Sequence, residues 1–131
     1  MPADNVEVVR RALGHFAETG EPAWTLLDED IATRDHDILD AGEYDGHEGH
    51  GRWIADWTAA WSDFEIGPVE DVVDAGEEVV VVFRIKATGR ASGASVERED
   101  AIVCRVHGGL ITRLDYYNNR AQALAQVGLQ A

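Results

Sequence analysis

The sequence predicts an α+β domain in which a curved antiparallel sheet carries helices on its concave face and a short helix follows at the C-terminus. Apolar residues recur at helical spacing in the first sixty residues, and apolar runs of strand length fill most of the remainder. Helices that come first, followed by strands joined as hairpins, are typical of a sheet with helices on one face.

Three helices are predicted before the main run of strands. The first runs from Asp4, which with Glu7 has the spacing of a capping box, to Gly20, which suits a helix end. Pro22 suits the first position of a short second helix. The third follows a Gly- and Asp-rich loop, and its tryptophans fall four residues apart, at Trp53, Trp57 and Trp61. We interpret this stripe as core that packs on the sheet.

The strand signals are runs of apolar and β-branched residues bounded by Gly, Pro and Asp. Five strands are predicted, at residues 31–38, 64–73, 78–88, 95–106 and 110–117. Gly67-Pro68 places the second strand at an edge or bends it, and Gly108-Gly109 predicts a tight hairpin. Asn118 or Asn119 can cap the final helix, and Gly128 can end it.

Composition limits the classes of function. A chain of 131 residues is predicted to form one domain, residues 1–131, and a formal charge of −14 argues against a nucleic-acid partner. No apolar run reaches the length of a membrane span, and no N-terminal secretion signal is visible, so we expect a cytoplasmic protein. Cys104, in an apolar run, is interpreted as inert core. No phosphate-binding Gly-rich motif follows a strand, and no cofactor is expected.

The end of the last predicted strand is unusually polar. Arg113, Asp115 and Tyr117 share one face because side chains alternate along a strand. A carboxylate flanked by a phenol and an amide, beside an apolar sheet, indicates a polar cluster at the bottom of a pocket. His47 and His50 lack the spacing of a zinc protease motif, and we expect no metal there.

Four segments, in this order, resemble the nuclear transport factor 2-like superfamily, and most closely its SnoaL-like polyketide cyclase branch. They are VVRRALGHFAETGE in the first helix, Tyr44-Asp45-Gly46, the hairpin DAGEEVVVVFRI, and RVHGGLITRLDYY before the last helix. The resemblance implies a cone-shaped fold, a homodimer packed through the sheet, and a small hydrophobic ligand. The superfamily includes isomerases, epoxide hydrolases, cyclases, dehydratases and binding domains without activity.

The resemblance also implies roles for individual residues. Asp35 matches the general base of ketosteroid isomerase-like members, and Asp100 matches the carboxylic acid of their oxyanion hole. Arg84 and Asp115 match two members of the catalytic triad in limonene epoxide hydrolase-like proteins, whose third position here is Lys86. The helix-1 tyrosine of the isomerases is replaced by Ala12-Leu13-Gly14.

Two functions remain open from the sequence. The first is a cofactor-independent acid/base enzyme, of cyclase, isomerase or hydrolase type, with the catalytic candidates Asp35, Arg84, Asp100, Asp115 and Tyr117. The second is a binding or carrier protein in which Arg84 and Asp115 form a structural ion pair. The side chains expected to contact the ligand are His15, Phe16, Trp53, Trp57 and Asn119.

Overall fold

The computed structural model describes residues 2–36 and 42–129. Within these residues, three helices and six strands follow one another. The helices are α1 (Pro2–Thr19), α2 (Gly46–Ala60) and α3 (Arg120–Gln126), and the strands are β1 (Leu27–Asp35), β2 (Glu43–Asp45), β3 (Glu65–Ala75), β4 (Glu78–Thr88), β5 (Ser95–His107) and β6 (Leu110–Tyr117). The predicted α+β class is confirmed.

The strands form one sheet in the order β2-β1-β6-β5-β4-β3. Neighbouring strands are antiparallel except β1 and β6, which pair in parallel, so the sheet is mixed rather than wholly antiparallel. The chain enters β1 before the hairpins begin and returns beside it only with β6. The two strands run in the same direction although they are far apart in sequence.

Most predicted elements are confirmed, with shifted ends. β4 and β6 have the predicted bounds, and β3 lies at the sheet edge with a register shift between Ile66 and Val69, where Gly67-Pro68 interrupts it. α1 begins at Pro2 rather than Asp4, and a single 3₁₀ turn at Trp24–Leu26 replaces the predicted second helix. β1 starts four residues earlier than predicted, and residues 37 and 38 of that prediction lie outside the described residues. β2 was not predicted.

The predicted turn glycines adopt the backbone conformation that turns and helix ends need. Gly108 and Gly109 have φ angles of 58° and 79°, which is the pattern of a two-residue hairpin that only glycine adopts cheaply at both positions.

Asn119 caps α3, because its Oδ1 accepts hydrogen bonds from the backbone N–H groups of Ala121 and Gln122 at 2.8 and 3.3 Å.

The two faces of the sheet pack against different helices. The inner face is the one on which α1 and α2 lie, and its buried side chains include Ile31, Phe83, Ile85, Ile102 and Tyr116. The outer face carries Val80, Val82, Ala101 and Val103, which pack on Ala123 and Leu124 of α3. The central strands β4 and β5 are therefore apolar on both faces, although only one face meets the long helices.

Apolar residues on both sides of β4 would favour the expected homodimer if one of these sides were left uncovered within the chain. Within the chain, α3 covers Val80 and Val82, and each is fully buried without a partner subunit. Farther along β4 the same face carries Arg84 and Lys86. Burial of apolar strand residues thus gives no reason for dimerisation. No helix among the described residues is both long and apolar enough to cross a membrane.

Candidate functional site

Asp35 lies at the inner face, at the end of β1. Alternation along this strand places Ile31, Thr33 and Asp35 inward, and Asp35 is only 3% exposed. Its Oδ2 accepts hydrogen bonds from the indole Nε1 of Trp53 at 2.8 Å and of Trp57 at 3.1 Å. Residues four apart lie on one side of a helix, so α2 presents both indoles to the same carboxylate.

Asp100 is the second inward carboxylate, on β5, and it is fully buried. It accepts a hydrogen bond from the Tyr116 hydroxyl and forms an ion pair with Arg98, whose Nε lies 2.8 Å from its Oδ1. Burial, reinforced by this neighbouring carboxylate, raises the pKa of Tyr116 well above its ordinary value. Tyr116 therefore keeps its proton at neutral pH and acts as a donor to Asp100.

An aromatic cluster separates the two carboxylates. The Tyr116 ring packs against Trp53 and Trp57, with ring centroids 5.7 and 5.3 Å apart. Trp53 and Trp57 donate to Asp35 on one side of this cluster, while Tyr116 donates to Asp100 on the other. Three side chains of the cavity wall are thus fixed in orientation by two buried carboxylates.

A cavity lies between α1, α2 and the inner face of the sheet. The cavity has a volume of about 100 Å³. Its wall is mostly apolar, formed by Val9, Ala12, Leu13, Phe16, Pro22, Ala23, Leu27, His50, Trp53, Ile54, Trp57, Thr58, Phe64, Ile66, Phe83, Ile102, Cys104, Ile111, Leu114 and Tyr116. Such a wall suits a small, mainly apolar molecule.

Four residues of the cavity wall, Phe16, Thr58, Phe64 and Ile66, also line a wider groove that reaches the surface. The groove runs along the ends of α1 and α2 and the first residues of β3. The shared residues place this groove directly beside the cavity.

His50 lines the cavity from α2 and is only 4% exposed. Its Nδ1 lies 2.8 Å from the hydroxyl of Thr33, which β1 presents on the inner face. The helix reaches this position by close contact with β2, since a Cβ at Gly49 would come within 2.9 Å of the Tyr44 carbonyl carbon. Burial, with a smaller contribution from His47, lowers the pKa of His50 to about 4, so the ring is neutral at pH 7.

Cys104 lines the cavity and is buried. Burial raises the pKa of its thiol to about 12. The thiol is therefore protonated at neutral pH and is a poor nucleophile, as the interpretation of an inert core cysteine requires.

Asp115 lies on the outer face, away from the cavity. It is 1% exposed, and it accepts hydrogen bonds from Arg113 Nε at 2.9 Å, from Gln126 Nε2 at 3.0 Å and from His36 Nε2 at 2.7 Å. Burial alone would raise its pKa, but the hydrogen bonds from Arg113, His36 and Gln126 outweigh burial and hold the pKa below its ordinary value. These four residues, with Tyr117, form what we call the outer cluster.

The expected pairing of Asp115 with Arg84 inside a pocket is wrong. Arg84 alternates with the inward residues Phe83 and Ile85 of β4, and its Nε lies 3.7 Å from Glu97. A buried arginine would need a carboxylate beside it, but the Arg84 side chain is 38% exposed and its charge is in contact with solvent. Arg84 lines the surface groove rather than the cavity.

The remaining predicted site residues divide between the two faces. Tyr117 lies on the outer face, where its ring stacks on His36 at 4.3 Å and its hydroxyl bonds Gln126. His15 is exposed and does not line the cavity, and the Asn119 side chain is occupied in capping α3. Phe16, Trp53 and Trp57 line the cavity. Asp35 and Asp100 lie behind its aromatic wall.

Sequence reasoning missed His50 and Tyr116 as cavity residues. His50 precedes Trp53 by three positions and Trp57 by seven, which places all three on one face of a helix. Tyr116 lies on the opposite side of β6 from Asp115, by the same alternation that grouped Arg113, Asp115 and Tyr117. Both signals were present in the sequence.

The model of the SnoaL-like domain family matches residues 8–114 of the chain. The chain belongs to this family. No curated protein matches the sequence significantly.

Solved structures agree with this family assignment. A protein assigned as a SnoaL-like polyketide cyclase from Jannaschia sp. CCS1 is 20% identical, with a TM-score of 0.73, covering 88% of this chain and 85% of that one. An NTF2-like protein of unknown function from Burkholderia pseudomallei is 18% identical, with a TM-score of 0.78 and coverage of 95% and 98%. TerC, co-crystallised with polyporic acid, is 15% identical, with a TM-score of 0.76 and coverage of 95% and 98%. At these identities the similarity establishes the fold alone.

Proposed function

We propose that this SnoaL-like domain, residues 1–131, binds a small, largely apolar molecule in the cavity between α1, α2 and the inner face of the sheet. The observation that carries the proposal is the cavity wall, in which apolar side chains such as Leu13, Ile54 and Phe83 predominate. Burying apolar ligand surface against such a wall is favourable by about 25 cal/mol per Å². The similarly folded TerC was crystallised with polyporic acid, which supports a ligand-binding role for this fold.

Binding of α-methylstyrene, a small aromatic hydrocarbon, tests this proposal. Trp53 and Trp57 line the cavity, so a bound ligand should change tryptophan fluorescence, and calorimetry should give a saturable heat. Ala12→Phe places a ring in the cavity and should weaken binding at least about tenfold, since the ligand and the ring compete for one volume. Ala59→Phe, on the exposed side of α2, is the matched control and should bind normally.

Two results would contradict the proposal. One is a wild-type protein that gives no saturable signal either with α-methylstyrene or with the ketone of the same shape, acetophenone. The other is equal binding by the wild type and Ala12→Phe, which would place the ligand outside the cavity. Circular dichroism of both variants would show that each retains the fold.

A second candidate is acid/base catalysis of cyclase, isomerase or hydrolase type on a polyketide- or terpenoid-like molecule. Asp35 favours it, because a buried carboxylate bonded to two indoles of the cavity wall is a candidate general base. In such a reaction Asp35 would take a proton from carbon next to a carbonyl, and the electron pair would move to the carbonyl oxygen. Asp115, Arg84 and Tyr117 are not part of this candidate, since they lie on the outer face and none of them bonds a residue of the cavity wall, as Asp35 does.

Deuterium exchange into acetophenone tests this catalytic candidate. If Asp35 reaches the bound ketone through the cavity wall, it should accelerate exchange of the methyl protons in D₂O, and the loss of the methyl proton signal in NMR spectra measures the rate. Asp35→Asn should return the rate to that of buffer, while Asp115→Asn should leave it unchanged. A wild-type protein that binds acetophenone without accelerating the exchange would eliminate catalysis of this proton transfer and leave the binding function standing.

We also propose a homodimer packed through the sheet, which is supported by the family resemblance alone. Light scattering at micromolar concentration measures it directly. A monomeric mass would refute it without affecting the cavity.

A further inference from the structure

His50 offers the cavity its one uncommitted strong hydrogen-bond donor among the described residues. The indoles of Trp53 and Trp57 donate to Asp35, and the hydroxyl of Tyr116 donates to Asp100. The hydroxyl of Thr58 donates to the backbone carbonyl of Ala55. The ring of His50 bonds Thr33 through Nδ1 only.

Nε2 is the ring nitrogen of His50 that has no protein partner among the described residues. Within the part of the chain that the structure describes, every fully buried side-chain nitrogen or oxygen has a hydrogen-bond partner. Nε2 has no protein partner there, so it is not fully buried, although the residue as a whole is 4% exposed. Because His50 lines the cavity, we infer that the cavity is the space to which Nε2 is open.

The Thr33 hydroxyl determines which ring nitrogen carries the proton. Thr33 is fully buried, and the only hydrogen-bond partner of its hydroxyl among the described residues is His50 Nδ1, at 2.8 Å. If Nδ1 carried the proton, the hydroxyl hydrogen of Thr33 would be buried without an acceptor, which is unfavourable. The hydroxyl therefore donates to Nδ1, and the neutral ring carries its proton on Nε2.

We propose that the Nε2–H group of His50 donates a hydrogen bond to a carbonyl oxygen of the bound molecule, which makes the ligand an apolar carbonyl compound. This inference rests on the proposed binding function and specifies the ligand class. An acceptor oxygen at this position satisfies the donor, whereas a pure hydrocarbon leaves it unpaired. A site built around one polar donor discriminates in this way against ligands without the matching acceptor.

The neutral state of the ring supports the same assignment. Burial holds the pKa of His50 near 4, so between pH 6 and 8 the ring stays neutral and Nε2 keeps its proton. Affinity for a carbonyl ligand should therefore be flat across this range.

Acetophenone and α-methylstyrene form a matched pair of probes, because they differ only by a carbonyl oxygen in place of a methylene group. In His50→Phe the affinity for acetophenone should fall about fivefold to tenfold, the loss of one net hydrogen bond, while that for α-methylstyrene should change less than about twofold. His50→Gln, which restores an amide donor, should recover part of the acetophenone affinity. His107→Phe, an exposed position, is the control and should change neither affinity.

The outcomes separate the two proposals. If wild-type protein binds neither probe, the proposed binding function fails and this inference fails with it. If α-methylstyrene binds and His50→Phe lowers both affinities equally, the ring contributes packing only, and the hydrogen-bond assignment alone is overturned.

Long-range ¹H–¹⁵N spectra of the imidazole nitrogens test the assignment without a ligand or a cavity variant. The expected result for the wild type is a proton on His50 Nε2, with Nδ1 unprotonated. Thr33→Val, which removes the hydroxyl donor and keeps the shape of the side chain, should shift the population toward the Nδ1–H form. A wild-type ring protonated on Nδ1 would overturn the proposal, because Nε2 would then be an acceptor.

Discussion

The two faces of the sheet each hold buried carboxylates, but their surroundings differ. Asp115 on the outer face accepts hydrogen bonds from Arg113 and His36, whose side chains are 41% and 38% exposed, so the ion pair meets solvent. Asp35 on the inner face accepts bonds from two indole N–H groups that line an apolar cavity. A buried carboxylate therefore does not by itself indicate a functional site. What distinguishes Asp35 from Asp115 is that its hydrogen-bond donors line a cavity that can hold a ligand.

The largest expected effect comes from removing an indole of the inner face. Trp53→Ala should lower the free energy of unfolding by about 3–5 kcal/mol, because it deletes a buried ring and a hydrogen bond to Asp35. Chemical denaturation with urea measures it. Trp61→Ala, at the end of α2 and only partly buried, is the control and should have a clearly smaller effect. Equal losses for the two variants would mean that Trp53 is not part of the core.

The next largest effect tests whether the outer cluster is structural. Asp115→Asn should lower the free energy of unfolding by about 1.5–3 kcal/mol, since it weakens the charge-assisted hydrogen bonds from Arg113 and His36. Ligand affinity should be unchanged, because Asp115 does not line the cavity. If Asp115→Asn keeps its stability but loses ligand binding, the outer cluster is the ligand site and our assignment of the two faces is wrong.

The stability that Asp115 contributes should depend on pH, and the sign of this dependence follows from the direction of its pKa shift. The pKa of Asp115 is lower in the folded protein than its ordinary value of 3.8, so the folded state favours the ionised form. The contribution of Asp115 to the free energy of unfolding is complete above its pKa in the unfolded state, and it is lost as the pH falls through its pKa in the folded state. The stability difference between the wild type and Asp115→Asn should therefore be constant above about pH 5 and shrink below about pH 4. A difference that grows on acidification would contradict the assignment.

The sequence predicted the grouping of side chains better than it predicted their location. Strand alternation correctly placed Arg113, Asp115 and Tyr117 on one face. It did not show which face carries the cavity, because α3 buries Val80 and Val82 as fully as the inner core buries Val79 and Val81. A strand that is apolar on both faces has no pattern that distinguishes them.

The positions of elements followed from local signals, whereas contacts between distant elements did not. Gly108-Gly109 and the cap at Asn119 depend on neighbouring residues, and both were predictable from the sequence. The bond between Thr33 and His50 depends on how α2 lies across β1, seventeen positions away in sequence. The partner of Arg84 depends on the β4–β5 register, which places Arg84 opposite Glu99 and leaves Glu97 within reach.

The smallest expected effect compares two adjacent tyrosines that face opposite sides of the sheet. Tyr116→Phe removes a buried hydroxyl that donates to Asp100, and it should lower the free energy of unfolding by about 1–2 kcal/mol. Tyr117→Phe removes a hydroxyl that bonds Gln126 at the protein surface, and it should cost at most about 0.5 kcal/mol. Urea denaturation at pH 7 measures both.

The affinities of the same two variants for α-methylstyrene test which face of the sheet carries the cavity. Tyr116 lines the cavity and Tyr117 does not, so Tyr116→Phe, which removes a hydroxyl from the cavity wall together with its hydrogen bond to Asp100, should change the affinity for α-methylstyrene. Tyr117→Phe should not. Because both substitutions remove one oxygen from neighbouring residues of the same strand, differences in strand propensity cancel. If Tyr117→Phe is the more damaging of the two for stability or binding, the assignment of the cavity to the inner face fails.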